Sequence, residues 1–215
     1  MNLQDGGAYV SVPNVLKLTD QHLQYLDILT YTSLKSFNNR EEDCFPRHET
    51  VGELVGLSKN FVIDSVERLE ATGLIVVERS LKKMVSNQYY FPKKDYYGKY
   101  SHSQIPKSIF KVSDLTSCEM AMLVCIRQFY YHGKHTCLYG TRFYAKWLGL
   151  SDDTVRKQFA SLIQKGYVRT QHKLNKWGKY TWLKYVLSDK LNWDFSHFSK
   201  SNPPASAQRP VIMIG

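Results

Sequence analysis

One short pattern occurs twice in this chain at a constant spacing of 93 residues. Gly56-Leu57-Ser58 is followed by an apolar-periodic run that ends at Gly73, and Gly149-Leu150-Ser151 is followed by a run of the same length that ends at Gly166. A repeat of this length is too long for a solenoid and is about the size of a small domain. The sequence therefore predicts two similar units in tandem.

The first copy predicts a helix, a short strand, two helices separated by a tight turn, and a β-hairpin. A helical pattern begins at Leu18-Thr19-Asp20, where Thr19 is the expected N-cap. Ser58 is the expected N-cap of the third helix, and Gly73 ends that helix because glycine tolerates the left-handed conformation of a C-cap. The buried positions of this helix are spaced by four and three residues, at Val62, Val66 and Leu69.

The second copy has the same order of elements. Its second helix is predicted over residues 141–148, and Ser151 is the expected cap of the third. The buried face of that third helix consists of Val155, Phe159 and Leu162. Residues 180–187 alternate between apolar and polar side chains, which predicts the returning strand of the hairpin.

These patterns predict an α+β, mainly α fold with two tandem winged-helix domains, each a helix-turn-helix followed by a β-hairpin wing. The expected boundaries are 1–92 for the first domain, 93–107 for a linker and 108–192 for the second domain. Residues 193–215 are rich in Ser, Pro and Ala, a composition typical of disorder.

The charge is concentrated in the second half of the chain. The net charge is +10. Residues 1–100 contain 12 basic and 13 acidic residues, whereas residues 101–215 contain 17 and 6. A strongly basic half beside a neutral half indicates a polyanionic partner for the basic half, and nucleic acid is the first candidate. Basic residues that only keep the surface soluble are the alternative.

The same order of elements carries a resemblance to a known family. In the first copy, the residues on which the resemblance is based are Leu18-Thr19, Cys44-Phe45-Pro46-Arg47-His48-Glu49-Thr50, Leu57-Ser58, Val62, Leu69-Glu70, Gly73-Leu74-Ile75 and Ser86-Asn87-Gln88-Tyr89. In the second they are Leu115-Thr116, Gly149-Leu150-Ser151, Thr154-Val155, Leu162 and Gly166-Tyr167-Val168. They resemble the winged helix-turn-helix domains of plasmid and phage replication proteins, including replisome-organiser and primosome-type proteins. Transcription regulators share the pattern, so it implies the fold more strongly than the process.

The second copy contains the main candidates for DNA contact. The third helix of a winged helix enters the major groove, and its exposed face here consists of Asp153, Arg156, Lys157, Ala160 and Gln164. Arg156 and Lys157 can donate to guanine or phosphate, whereas Asp153 lies in the first helical turn and favours the helix dipole. The wing adds Lys173, Lys176, Trp177 and Lys179. Trp177 either contacts DNA or, as is commoner for a wing tryptophan, packs against its own hairpin.

The first copy offers a different set of candidates. Its groove-facing positions are Asn60, Ile63, Asp64 and Glu67, with Lys59 at the edge, and the two acids repel phosphates. Its wing contains Arg79, Lys82 and Lys83. We therefore expect this copy to contact DNA through its wing, or to form a protein interface instead.

No motif indicates catalysis, a cofactor or a bound metal. The chain contains neither the His-hydrophobic-His motif of nicking initiators nor a Walker-type phosphate-binding loop, and no nucleophile has an evident base. The spacing of His132, His135 and the four cysteines matches no common zinc module, and reduced thiols are expected. Without a signal peptide or a membrane span, the expected compartment is the cytoplasm.

The leading hypothesis is a non-catalytic, sequence-specific binder of double-stranded DNA. The resemblance implies replication initiation at the origin of a plasmid, phage or mobile element. Its implied partners are origin DNA and a replicative helicase or loader, with homo-oligomerisation as a further possibility. A transcription regulator with the same contacts is the first alternative. A protein-interaction module, in which the first domain binds no DNA, is the second.

Overall fold

The structure, a computed structural model, has an α+β fold in which helices are combined with small antiparallel sheets. It describes residues 9–14, 22–38, 43–81, 85–92, 102–131, 136–137, 139–174, 176–178 and 180–193. The predicted disordered tail lies outside these ranges, apart from Trp193. No helix in the described ranges combines the length and the apolar character that crossing a bilayer requires.

The helices and strands form two similar series along the chain. The helices are α1 (Asp27–Ser36), α2 (His48–Val55), α3 (Lys59–Ala71), α4 (Ser117–Gln128), α5 (Thr141–Leu148) and α6 (Asp152–Gln164). The strands are β1 (Tyr9–Pro13), β2 (Asp43–Cys44), β3 (Val76–Glu78), β4 (Gln88–Tyr90), β5 (His102–Pro106), β6 (Tyr130–Tyr131), β7 (Thr136–Cys137), β8 (Val168–Leu174) and β9 (Tyr180–Leu187). We call the elements from α1 to β4 the first unit and those from α4 to β9 the second unit.

The second and third helices of the two units begin 93 residues apart. The third helices, α3 and α6, each have 13 residues, and each is capped by a serine side chain that accepts a hydrogen bond from the backbone at the third helical residue. The turns before them contain Gly56 and Gly149, with φ angles of 69° and 67°. The short strands β2 and β7 each pair with the returning strand of their own hairpin. The predicted Ser58 and Ser151 caps are confirmed.

The first helix of the first unit begins later than the sequence pattern predicts. It starts at Asp27 rather than at Leu18-Thr19, and the predicted Thr19 cap lies outside the described residues. The Asp27 carboxylate accepts a hydrogen bond from the backbone N–H of Gln24 at 2.7 Å, which holds the preceding chain in a turn. Tyr25 therefore precedes the helix, although it is buried.

The segment between the units also differs from the expected linker. Residues 102–106 form β5, which pairs antiparallel with β1 near the start of the chain, and residues 93–101 lie outside the described ranges. Gln128, at the end of α4, donates from Nε2 to the Pro13 carbonyl at 2.9 Å. This two-stranded sheet packs on α1 and α4, because it contributes Val10, Val12 and Ile105 to the core.

The two units share one continuous hydrophobic core. The Ser117 hydroxyl, at the first residue of α4, hydrogen-bonds the carbonyls of Val55 and Gly56 at 2.7 and 3.0 Å, and these lie in the turn between α2 and α3. The Tyr25 hydroxyl donates to the Cys118 carbonyl. The start of α4 is thus docked on the helix-turn-helix turn of the first unit.

The turn between α2 and α3 leaves no room for a side chain at Gly52. A Cβ there would lie 2.4 Å from the Leu57 carbonyl oxygen, which is backbone and cannot rotate away. We expect Gly52→Ala to lower the free energy of unfolding by about 1–3 kcal/mol, as overpacking does. Urea denaturation measures the change. Gly140→Ala is the matched control, since its Cβ would meet nothing within 4 Å; an equal loss in both variants would contradict the steric argument.

Candidate nucleic-acid interface

The third helix of the second unit, α6, presents its polar face to solvent. Val155, Phe159 and Leu162 are buried, as the sequence predicts. Asp153, Arg156, Lys157, Ala160 and Gln164 are all exposed. Successive residues of an α-helix are rotated by about 100°, so these five positions form one stripe opposite the buried side. The five residues predicted to face the groove therefore lie on one side of α6.

Arg156 and Lys157 differ in their local electrostatics. The Arg156 guanidinium lies 3.6 Å from Asp152 and 3.8 Å from Asp153, and its side chain is 55% exposed. Ion pairs this long and this exposed contribute little stability, so a stronger acceptor can displace them. Within the described part of the chain, Lys157 forms no ion pair. Both cations are accessible to an incoming anion.

A buried carboxylate on α4 holds α6 in place. Glu119 accepts hydrogen bonds from the Ser161 hydroxyl and, at 2.7 Å, from Lys165 Nζ, both at the C-terminal half of α6 or just beyond it. It also accepts from the Thr116 backbone N–H at 2.7 Å, completing a capping box at the start of α4. Burial alone raises the pKa of the Glu119 carboxyl. The bonds from Lys165, Ser161 and Thr116 outweigh that effect and lower the pKa to about 2.

The wing of the second unit is a long hairpin. β8 and β9 have seven and eight residues, against three each in β3 and β4 of the first unit. Lys176 and Trp177 are exposed at its tip. The backbone of Lys173 lies in β8, but its side chain and all of Lys179 are outside the described structure. Two of the four predicted contact residues of the wing therefore lie exposed in its turn.

Trp177 lies in the turn of the second wing. The residue is 71% exposed, and the Lys176 Nζ lies 4.5 Å from the centroid of its ring. Most of the side chain is therefore in contact with solvent.

In the first unit, the predicted cations are engaged in ion pairs. Lys59 Nζ lies 2.6 Å from the Glu49 carboxylate. Arg79 binds both carboxylate oxygens of Glu70, so the wing is joined to α3. Lys82 and Lys83 lie outside the described residues. A phosphate would have to compete with an acidic side chain for each of the two cations that the structure describes.

The outward face of α3 has the opposite charge to that of α6. Asn60, Asp64 and Glu67 are exposed on it. Asp64 occupies the position that matches Lys157, 93 residues further along the chain. A carboxylate at the centre of this face repels a phosphate backbone, whereas a lysine attracts it. The residues predicted to face the groove thus lie on equivalent faces of α3 and α6, but the two faces differ in charge.

An ion pair with reversed polarity joins the second and third helices of each unit. In the first unit the acid is on α2 and the base on α3, at Glu49 and Lys59. In the second, Arg142 on α5 lies 3.6 Å from Asp152 on α6. The reversal places an acid in the first turn of α6, where the helix dipole favours it, and an 85% exposed arginine beside the start of that helix. Arg142 is an additional candidate contact residue, and aligning the two copies of the sequence marks it as the counterpart of Glu49.

Sequence reasoning also missed the residues that orient the third helices. Asp27 is fully buried and accepts two 2.8 Å hydrogen bonds from the Arg68 guanidinium on α3. In the second unit Glu119 makes the corresponding bonds to α6. These are contacts between helices that are distant in sequence, so no local motif signals them. These hydrogen bonds fix the rotation of each third helix about its axis and therefore determine which of its sides is exposed.

The comparisons with known proteins give a structural likeness but no family. No protein-family model matches this chain, and no curated protein matches it either. Among solved structures, the crystal structure of Pi initiator protein in complex with iteron DNA is similar, with a TM-score of 0.48 and 12% sequence identity. The alignment covers 88% of this chain and 100% of that chain.

The pKa of Glu119 predicts how stability depends on pH. Because the folded-state pKa is about 2 against an ordinary value of 4.5, the stabilisation is present above pH 4.5 and is lost as the pH falls towards 2. We expect this group to contribute about 3 kcal/mol to that loss. Urea denaturation between pH 2 and 7 should show a flatter profile for Glu119→Gln than for the wild type. Glu53→Gln, an exposed change on α2, should follow the wild type; parallel profiles for all three proteins would contradict the assignment.

Proposed function

We propose that the protein is a tandem winged-helix protein that binds double-stranded DNA in a sequence-specific manner through its second unit. The exposed cationic face of α6 carries this proposal. It has the width of a single helix, which the major groove of B-DNA accepts, and it presents Arg156 and Lys157 near the N-terminal end. The α6 helix reads base edges, and the wing binds the flanking backbone.

The charge distribution supports a division of roles between the two units. The second unit contains the exposed cations Arg142, Arg156 and Lys157. The first exposes Asp64 at the position that matches Lys157 and Glu67 at the position that matches Ala160, and its described wing arginine is held by Glu70. We propose that base reading belongs to the second unit and that α3 of the first unit does not enter a groove. Its acidic face favours a protein interface for that unit, which is the second candidate function.

The proposed biological process rests on the resemblance of the sequence motifs. They resemble the winged helix-turn-helix domains of plasmid and phage replication proteins, so we propose origin binding followed by recruitment of a helicase or loader. Transcription regulation is the alternative, because it uses the same contacts at a promoter. We propose no catalytic role, since DNA recognition of this kind requires none.

Selection from a random duplex library, with the full chain as the binder, identifies the preferred sequence. A repeated array of that sequence beside the gene for this protein supports origin binding. A single inverted repeat at a promoter supports the regulator instead. If the selection enriches no duplex sequence above the starting pool, sequence-specific binding is excluded.

Charge removal on α6 tests the placement of the interface. On the selected duplex, Arg156→Ala and Lys157→Ala should each weaken binding by about 1–3 kcal/mol if they contact bases. If they contact phosphates instead, each should reduce the slope of log K against log salt by about 1. Fluorescence anisotropy at several salt concentrations distinguishes these cases. Asp64→Ala is the matched control at the equivalent position of α3 and should cause no loss; unchanged affinity in the two α6 variants refutes the assignment.

A further inference from the structure

The turn of the second wing contains an exposed aromatic ring and has empty space beside it. Trp177 is 71% exposed, and Gly178 beside it has a φ of 74°. A Cβ built on Gly178 would meet no atom within 4 Å, so the space beside this turn residue is open. Among the other tryptophans whose side chains the structure describes, Trp193 is 7% exposed and Trp147 is half-buried and packs on Phe143. Trp177 is therefore more exposed than either of them.

The chemistry of the hairpin favours a polyanion as that partner. The stretch from Val168 to Leu187 contains five basic residues and no acidic one. The Lys176 ammonium lies 4.5 Å from the centroid of the Trp177 ring. A partner that contacts the ring therefore also meets a positive charge. A basic protein surface is excluded as the occupant by this charge. The grooves of duplex DNA offer both phosphates for the lysine and an apolar, stackable interior for the ring.

The connection to α6 determines which part of the DNA the tip meets. β8 begins four residues after the end of α6, and the Tyr167 backbone N–H bonds to the Leu162 carbonyl at 2.9 Å. Seven residues of strand extend by about 23 Å, which is greater than the width of either groove. If α6 occupies a major groove, the wing is therefore long enough to reach the neighbouring minor groove.

On this basis we infer that Trp177 is a wedge that enters the minor groove beside the segment read by α6 and partly unstacks one base step. Lys176 binds a phosphate at the same place. The inference rests on the proposed DNA-binding function and extends it: the second unit distorts its target as well as reading it. Apolar side chains inserted between base steps kink a duplex, so the protein bends its site.

The test uses the full chain and the duplex obtained by selection, with 2-aminopurine placed at successive positions beside the α6 segment. The wild-type protein should increase the fluorescence of 2-aminopurine at one base step, because an unstacked probe is less quenched. Trp177→Phe should retain this signal, because a phenyl ring can still stack, whereas Trp177→Ala should abolish it and weaken binding about 5- to 150-fold. Lys176→Ala should weaken binding and lower its salt dependence. Donor and acceptor dyes at the duplex ends should report a smaller bend for Trp177→Ala.

The controls separate this inference from the proposed function. Leu81→Ala removes an exposed apolar residue from the wing of the first unit and should change neither affinity nor probe signal. Equal melting temperatures show that the exposed substitutions leave the fold intact. If wild type binds the duplex but no probe brightens and Trp177→Ala binds normally, the wedge is overturned while DNA binding stands. If wild type binds no duplex at all, the proposed function itself fails.

Discussion

A buried carboxylate on the first helix of each unit holds the third helix of that unit in place. Asp27 binds Arg68 in the first unit, and Glu119 binds Ser161 and Lys165 in the second. Arg68 and Ser161 lie 93 residues apart, at equivalent positions of their helices. A buried charge is costly without its partner, so neither helix can rotate without unpairing its carboxylate. The exposed face that each third helix presents is a consequence of these bonds.

The same framework presents opposite charges in the two units. Lys157 on α6 is matched by Asp64 on α3, and the ion pair that joins the second helix to the third has reversed polarity. Neither change touches the apolar positions that both third helices bury, which are Val62, Val66 and Leu69 in α3 and Val155, Phe159 and Leu162 in α6.

The units are joined more closely than their sequence separation implies. β1 and β5 pair across most of the first unit, and the Ser117 hydroxyl binds backbone carbonyls in the turn before α3. Because the core is continuous, moving one unit relative to the other would expose apolar surface. The two third helices are therefore held in one orientation relative to each other, and a ligand on α6 meets a preorganised surface.

The sequence by itself determined the local features of this protein: the Ser58 and Ser151 caps, the glycine turns, the helix at residues 141–148 and the strand at 180–187. These depend on backbone conformation and on periodicity, which neighbouring residues specify. Only the tertiary structure decided that α1 begins at Asp27, that residues 102–106 pair with β1, that Lys59 and Arg79 are held in ion pairs, and that Trp177 is exposed at the wing tip. Each of these depends on which distant groups come within bonding distance, and no local pattern records that distance.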